Sequence, residues 1–246
     1  MDAQHRAAAR ASRIMMHSPL TTEPLLHIGP LAISAPVIVT WAIMACLATG
    51  AALLTRKLSV APSRMQTVLE LLVETVDTQI RDTMQTDPAP YRSLIGTLFL
   101  FVLVANWSSL VPGVEPPTAH LETDAALALL VLLATVAYGV RSRGVRGYMA
   151  TFAEPTWVMI PLNIVEQLTR TFSLVVRLFG NVMSGVFVVG IVLSLAGLLV
   201  PIPLMALDLL TGAVQAYIFA VLAMVFIGAA VGEKPHPAND NQKEHA

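Results

Sequence analysis

Long apolar runs alternate with short polar breaks along this chain, and the runs have lengths that suit a lipid bilayer. Leu31 to Leu54 is apolar apart from small hydroxyl residues and stops at Thr55-Arg56-Lys57. It predicts a first crossing, for which about 20 residues suffice. Ser63 to Thr86 has a different pattern: Met65, Val68, Leu69, Leu72, Val76, Ile80 and Met84 recur at helical spacing, while Glu70, Glu74, Asp77 and Arg81 take other faces. This predicts an amphipathic helix over 63–86, lying on the bilayer surface or packed beneath the spans. After the breaker Asp87-Pro88-Ala89-Pro90, two further crossings are predicted over 93–111 and 125–140, joined by the acidic loop PGVEPPTAHLETD. Two long helices follow, over 157–200 and 204–231, with Pro201 and Pro203 between them. Residues 1–30, punctuated by Pro19, Pro24 and Pro30, predict an extramembranous arm, and 232–246 a disordered tail.

The stretch from Pro161 to Val200 is the unusual one. As a single helix it would be about 60 Å long, roughly twice the hydrocarbon thickness, so it must tilt, break or run partly along the membrane. Placed at 100° per residue, Asn163, Glu166, Arg170, Ser173, Arg177, Asn181 and Ser184 fall within a sector of roughly 80°. Single polar residues in such helices usually join helices by hydrogen bonds. A stripe of them predicts a face that lines water or meets a charged partner. Glu166 and Arg170 can pair at i, i+4; Arg177 has no acid three or four residues away. An ionisable group within a span costs about 2.5–3.5 kcal/mol on insertion scales, and that cost marks Arg177 as a functional site. On the last helix Asp208, Thr211 and Gln215 share a face. A hairpin pivoting at Pro201–Pro203 would put Arg177 at the level of Met224 to Gly228, too far from Asp208 to pair, so its counter-charge is expected on another chain. Gly180, Gly185, Gly190 and Gly197 lower the bulk of the long helix and allow close helix approach.

Composition agrees with the spans: 55% hydrophobic, 13% charged, mean hydropathy +0.69. The expected fold is an all-α integral membrane protein, one membrane domain over 31–231 in contact with the lipid bilayer, with about five embedded helices, one amphipathic interfacial helix and a long tilted hairpin at the end. A net charge of −1 implies no nucleic-acid partner. Arg6, Arg10 and Arg13 precede no compact apolar run with a cleavage site, so no signal peptide is expected. Arg56, Lys57, Arg64, Arg141, Arg143 and Arg146 fall on one side of the membrane if the spans alternate, and the acidic loop on the other. The basic side should be cytoplasmic, which puts the amino terminus outside and the carboxy terminus inside. Cys46, the single cysteine, is expected to be a small buried hydrophobe. His27, His120 and His236 are expected as solvated loop residues, the methionines as packing, Asn106 as a helix–helix hydrogen bonder and Trp107 as an interfacial anchor. No phosphate loop, HExxH or nucleophile elbow is present. No catalytic residues, cofactor or metal are expected.

Arg177-Leu178-Phe179-Gly180-Asn181, preceded by Arg170 and Ser173 and followed by Gly185, closely resembles the core of subunit a of F-type ATP synthases. Gln215-Ala216-Tyr217-Ile218-Phe219 resembles the matching motif on that family's last helix, and Asn106 through Asp124 is similar to its second and third crossings. The resemblance implies a non-catalytic stator subunit in the bacterial inner membrane. Two long tilted helices would wrap a rotating ring of c subunits, with peripheral-stalk b subunits as further partners and the catalytic head reached indirectly. Each c subunit would bring an ion-carrying carboxylate to Arg177, and two offset half-channels would lead ions to and from the ring. The arginine would then block a direct leak, a fixed charge that favours the ionised carboxylate and repels cations. Asn181 and Gln215 carry over as polar residues beside it. The family's usual titratable residue nine positions past the arginine is Val186 here, the one seven before the glutamine is Asp208, and Asn163 stands where many relatives carry Glu. Asp208, with Glu166 or Asn163, would then carry the channel's load together with Ser173 and Ser184. These departures resemble the divergent bacterial N-ATPases. Three alternatives stay open: sodium as the coupling ion, a self-contained secondary transporter, and a purely structural anchor.

Overall fold

The computed structural model describes residues 24–28, 31–56, 64–111, 114–153, 157–196 and 200–232. Most of the expected amino-terminal arm, and the expected tail with His236, lie outside the described residues. Six α-helices make up the described chain: α1 (Ala35–Thr55), α2 (Arg64–Met84), α3 (Arg92–Trp107), α4 (Leu121–Ala153), α5 (Ile160–Ala196) and α6 (Pro201–Val231). All but α2 are long and apolar enough to cross a membrane. The protein is an all-α membrane protein, with one small addition. β1 (Pro24–Ile28) and β2 (Leu31–Ser34) pair antiparallel, with His27 opposite Ala32. The first crossing therefore starts at Ala35 rather than Leu31, and His27 is a strand residue rather than a loop residue. Pro36 explains the boundary, because proline lacks the N–H that continuing a helix would need and is tolerated only in its first turn.

α6 is the axis of the bundle and packs against α2, α3, α4 and α5. Lipid offers no hydrophobic drive for such packing, so small residues that let backbones approach do the work. Ala216, Ala220, Ala223 and Ala230 are buried along α6, interleaved with Phe219, Met224 and Ile227. α1 is apolar all round and packs mainly on α3, leaving Trp41, Met44 and Leu53 facing outward. Cys46 is exposed on this helix, not buried: α1 has lipid on most sides, and a thiol needs no shelter there. α2 packs one face of its carboxy-terminal half against the bundle, with Ile80 fully covered and Met84 against Gly228, while Val68 and Leu71 stay exposed. Arg92 donates through Nε and Nη2 to the Asp77 carboxylate and ties the start of α3 to α2. The Tyr217 hydroxyl also reaches the Gln79 Oε1 at 3.1 Å.

α4 runs to Ala153, past the expected stop at Val140. Arginines are good helix formers, and the backbone turns only at Gly144, with φ of 72°, where glycine alone is unstrained. Just before that kink the Arg143 Nε donates to the Val231 carbonyl at 3.0 Å and the Ser142 Oγ at 3.4 Å. A cation on the terminal carbonyls of α6 also complements the helix dipole. The basic end of α4 and the carboxy terminus of α6 therefore lie on one side of the bundle. At the opposite end α6 begins at Pro201, not near residue 204, because both prolines fit its first turn.

Asn106 is a helix–helix hydrogen bonder. Its Nδ2 donates to the Gly212 carbonyl of α6 at 2.9 Å and its Oδ1 accepts from the Thr118 hydroxyl at 2.8 Å, all of it buried. Trp107 adds an Nε1 donation to the Leu209 carbonyl at 3.1 Å. Asn106→Ala removes both amide bonds and strands the Thr118 hydroxyl. It should lower stability by about 1–2 kcal/mol, measurable as a shift in reversible unfolding in mixed micelles; an unchanged midpoint would show that the two bonds add nothing.

Candidate functional site

α5 is attached to the bundle along a narrow seam. Leu174, Leu178 and Val182 are its buried residues, and Phe172, Val176, Phe187 and Leu195 are among its exposed ones. The polar stripe runs beside that seam. Glu166 accepts from Arg170 in the expected i, i+4 pair, and the Arg170 guanidinium lies 5.5 Å from the centre of the Phe226 ring. Ser173, Arg177 and Ser184 are exposed, and Asn163, Arg170 and Asn181 are half-buried. Among the described residues no acid forms an ion pair with Arg177.

The stripe divides between two openings. Glu166, Arg170, Ser173 and Arg177, with Leu174 and Phe226, line a cavity of about 590 Å³ toward the basic end. Asn181, Ser184 and Thr211 line a smaller one of about 190 Å³ toward the acidic loop. It shares Gly185 and Asp208 with a neighbour, also about 190 Å³, that is walled by Ser109, Glu115 and Val186. Arg177 is the last stripe residue of the basic-end cavity and Asn181 the first of the other, about 6 Å apart along the helix. Asn163 lies a turn below Glu166 and outside these linings.

Asp208 sits directly over Gly185, so close that a β-carbon there would collide with its Oδ1. The Ser109 Oγ donates to the Asp208 Oδ2 at 3.3 Å. This contact fixes the hairpin register, which differs from the sequence expectation. With Gly185 against Asp208 and Arg170 against Phe226, Arg177 lies opposite the stretch from Gln215 to Phe219 rather than Met224 to Gly228. α5 ends at Ala196 and α6 begins at Pro201. Asp208 remains about two turns from Arg177, as expected. Gln215, on the predicted face of α6, is buried instead of lining an opening, and its Nε2 has no hydrogen-bond partner among the described residues.

Three residues were not singled out from the sequence as site candidates. Glu115, taken only as part of an acidic loop, walls the cavity beside Val186. His120 is no solvated loop residue: its side chain is 14% exposed, with Nε2 3.5 Å from the Glu115 Oε2. Asp124 is fully buried in the first turn of α4. Starting the crossing at Ala125 hid it; starting at Leu121 would have marked an acid inside a span.

These features define a class: a polytopic membrane protein whose long terminal hairpin carries an unpaired arginine between openings at opposite ends. The model of the ATP synthase A chain family matches residues 37–228. The chain is 57% identical over 218 residues to ATP synthase subunit a 2 of a Bradyrhizobium species, covering 89% of this chain and 98% of that one. It is 46% identical over 212 residues to ATP synthase subunit a of Albidiferax ferrireducens, covering 85% and 92%, and 46% identical over 217 residues to ATP synthase subunit a 1 of Chlorobaculum parvum, covering 87% and 96%. The chain belongs to the ATP synthase subunit a family. That membership replaces the secondary-transporter and simple-anchor alternatives with a stator role in the membrane sector of a rotary complex.

Gly185→Ala should push Asp208 off its seat and cost about 1–3 kcal/mol through overpacking. Gly190→Ala, which meets nothing within 4 Å, should be close to neutral. Unfolding midpoints of the two variants, compared side by side, test whether Asp208 holds this register.

Proposed function

We propose that the chain is the ion-conducting stator subunit, with no ATP chemistry of its own, and that protons are the coupling ion. The cavity holding Glu166, Arg170 and Ser173 is the half-channel of the basic, cytoplasmic side. The cavities around Asp208, Ser184 and Glu115 form the half-channel of the opposite, periplasmic side. The complex sits in the inner membrane with the amino terminus periplasmic and the carboxy terminus cytoplasmic. Peripheral-stalk b subunits hold the chain in place, and the catalytic head is coupled to it at a distance.

The observation that carries this is Arg177: exposed on α5 and without an ion pair among the described residues, at the boundary between two openings. A guanidinium in a low-dielectric slab needs an anion, and the ring carboxylate of a c subunit supplies one from outside the chain. Because Arg cannot deprotonate at physiological pH, its charge persists while ring carboxylates pass, keeping each one ionised as it passes and barring protons from crossing directly. Gly180 meets nothing within 4 Å of the position a β-carbon would take, leaving room beside Arg177 for a second chain's helix. Glu115 and Asp208, which line the same cavity as Val186, supply the carboxylates missing from that position of α5.

Arg177→Ala should reduce ATP-driven acidification of vesicles containing the whole complex to background, while the detached catalytic head hydrolyses ATP at the wild-type rate. Normal acidification would remove the stator mechanism.

A further inference from the structure

Among the described residues, four buried polar atoms on α4, α5 and α6 have no hydrogen-bond partner: both carboxylate oxygens of Asp124, the Gln215 Nε2 and the Asn181 Nδ2. Asp124 is 0% exposed and Gln215 7%. An unanswered buried polar atom is costly and a bare buried carboxylate more so, so a cluster of them marks a place where something else binds.

The helix registers put these atoms at one level. α4 and α6 run parallel, and near their basic ends a β-carbon on Gly139 would lie 3.2 Å from that of Ala230. Fifteen residues earlier on each helix stand Asp124 and Gln215, displaced equally by the same rise per residue. The other ends agree. Thr118, just before α4, bonds to Asn106, which bonds to Gly212, one turn before Gln215. On α5, which runs antiparallel, the seat of Asp208 on Gly185 puts Asn181 opposite Gly212 to Gln215. Asp124 shares its helix face with Ala128, Val131 and Thr135, all buried in the bundle. The unpaired donors are amides and the unpaired acceptor is an acid, which suits water and a proton; N–H groups would repel a metal cation.

We infer that Asp124 is a proton-carrying acid on the acidic-side path, linked through water to Gln215 and Asn181 and so to the neighbourhood of Arg177. This rests on the stator function proposed above and adds a residue to it. The charged and titratable groups on the surrounding elements include His120 and Glu115 on the acidic side, Glu122 on α4 itself, Glu166, Arg170 and Arg177 on α5, and Asp208 and Tyr217 on α6. In one cycle Asp124 accepts a proton from water on the acidic side, forming a carboxyl O–H bond. It returns that proton to water on the Arg177 side, breaking the same bond, with no other change.

The test uses the complete complex in vesicles, with acidification on ATP addition read by a pH-sensitive dye and the amount of assembled chain read by immunoblot. Asp124→Asn keeps shape and loses the titratable group; at equal assembly it should slow acidification by about tenfold or more, the low end of what a positioned proton-transfer group contributes. Asp124→Glu should retain most of the rate. Wild-type acidification by Asp124→Asn, with Arg177→Ala inactive, would overturn the role of Asp124 alone. Normal acidification by Arg177→Ala would overturn this role and the stator mechanism together. Should Asp124→Asn fail to assemble, infrared spectra decide. A protonated-carboxyl carbonyl band that differs between wild type and Asp124→Glu and shifts in heavy water upholds the inference, and identical spectra overturn it.

Discussion

Hydrocarbon supplies no hydrogen-bond partners, so every polar group carried into it must be answered by the protein or by water that the protein admits. In this chain the answered groups build the fold. Asn106 joins α3 to α6 and anchors Thr118 of the acidic-side loop; Arg92 and Asp77 join α3 to α2; Arg143 closes the end of α6. The groups that the chain leaves unanswered are different in kind. Among the described residues Arg177 has no ion pair, and Asp124, Gln215 and Asn181 each keep a buried polar atom without a hydrogen-bond partner. The same energetic rule thus separates scaffold from machinery.

The spans were legible in the sequence because hydrophobic run length is a nearly direct readout of bilayer thickness. The stripe on α5 was legible because helical periodicity depends on spacing alone. What the sequence did not show were quantities set between elements. The hairpin register is set by contacts between α5 and α6, the seat of Asp208 on Gly185 above all, which no spacing within one helix announces. Prolines punctuate strongly, but they are at home in a first helical turn, so Pro201 opens α6. Glu115 and His120 escaped notice because a loop that folds back among helices has the same composition as one in solvent. The shelter of His120 accompanies the hold of Asn106 on Thr118, a contact twelve residues apart in sequence with no periodic signature, while Glu115 stays exposed at the cavity wall.

Register also alters how the carboxylates are distributed. With Asp208 seated on Gly185, the acid of α6 is committed to the acidic-side cavities, where it meets Ser109 from the end of α3. Glu166, on the far side of Arg177, is engaged by Arg170. The two ends of the stripe therefore differ in chemistry as well as position: one offers an acid held by a hydroxyl, the other an acid neutralised by a guanidinium.

The narrow seam that holds α5 has a consequence for the life of the chain in the cell. Its 37 residues are fastened through Leu174, Leu178 and Val182, with much of the remaining surface turned outward. A newly inserted copy thus displays a long helix with an arginine on its free side, which membrane quality-control proteases could treat as an orphan. Surplus copies would then be short-lived, and the abundance of this subunit would follow the supply of whatever covers α5 rather than its own rate of synthesis.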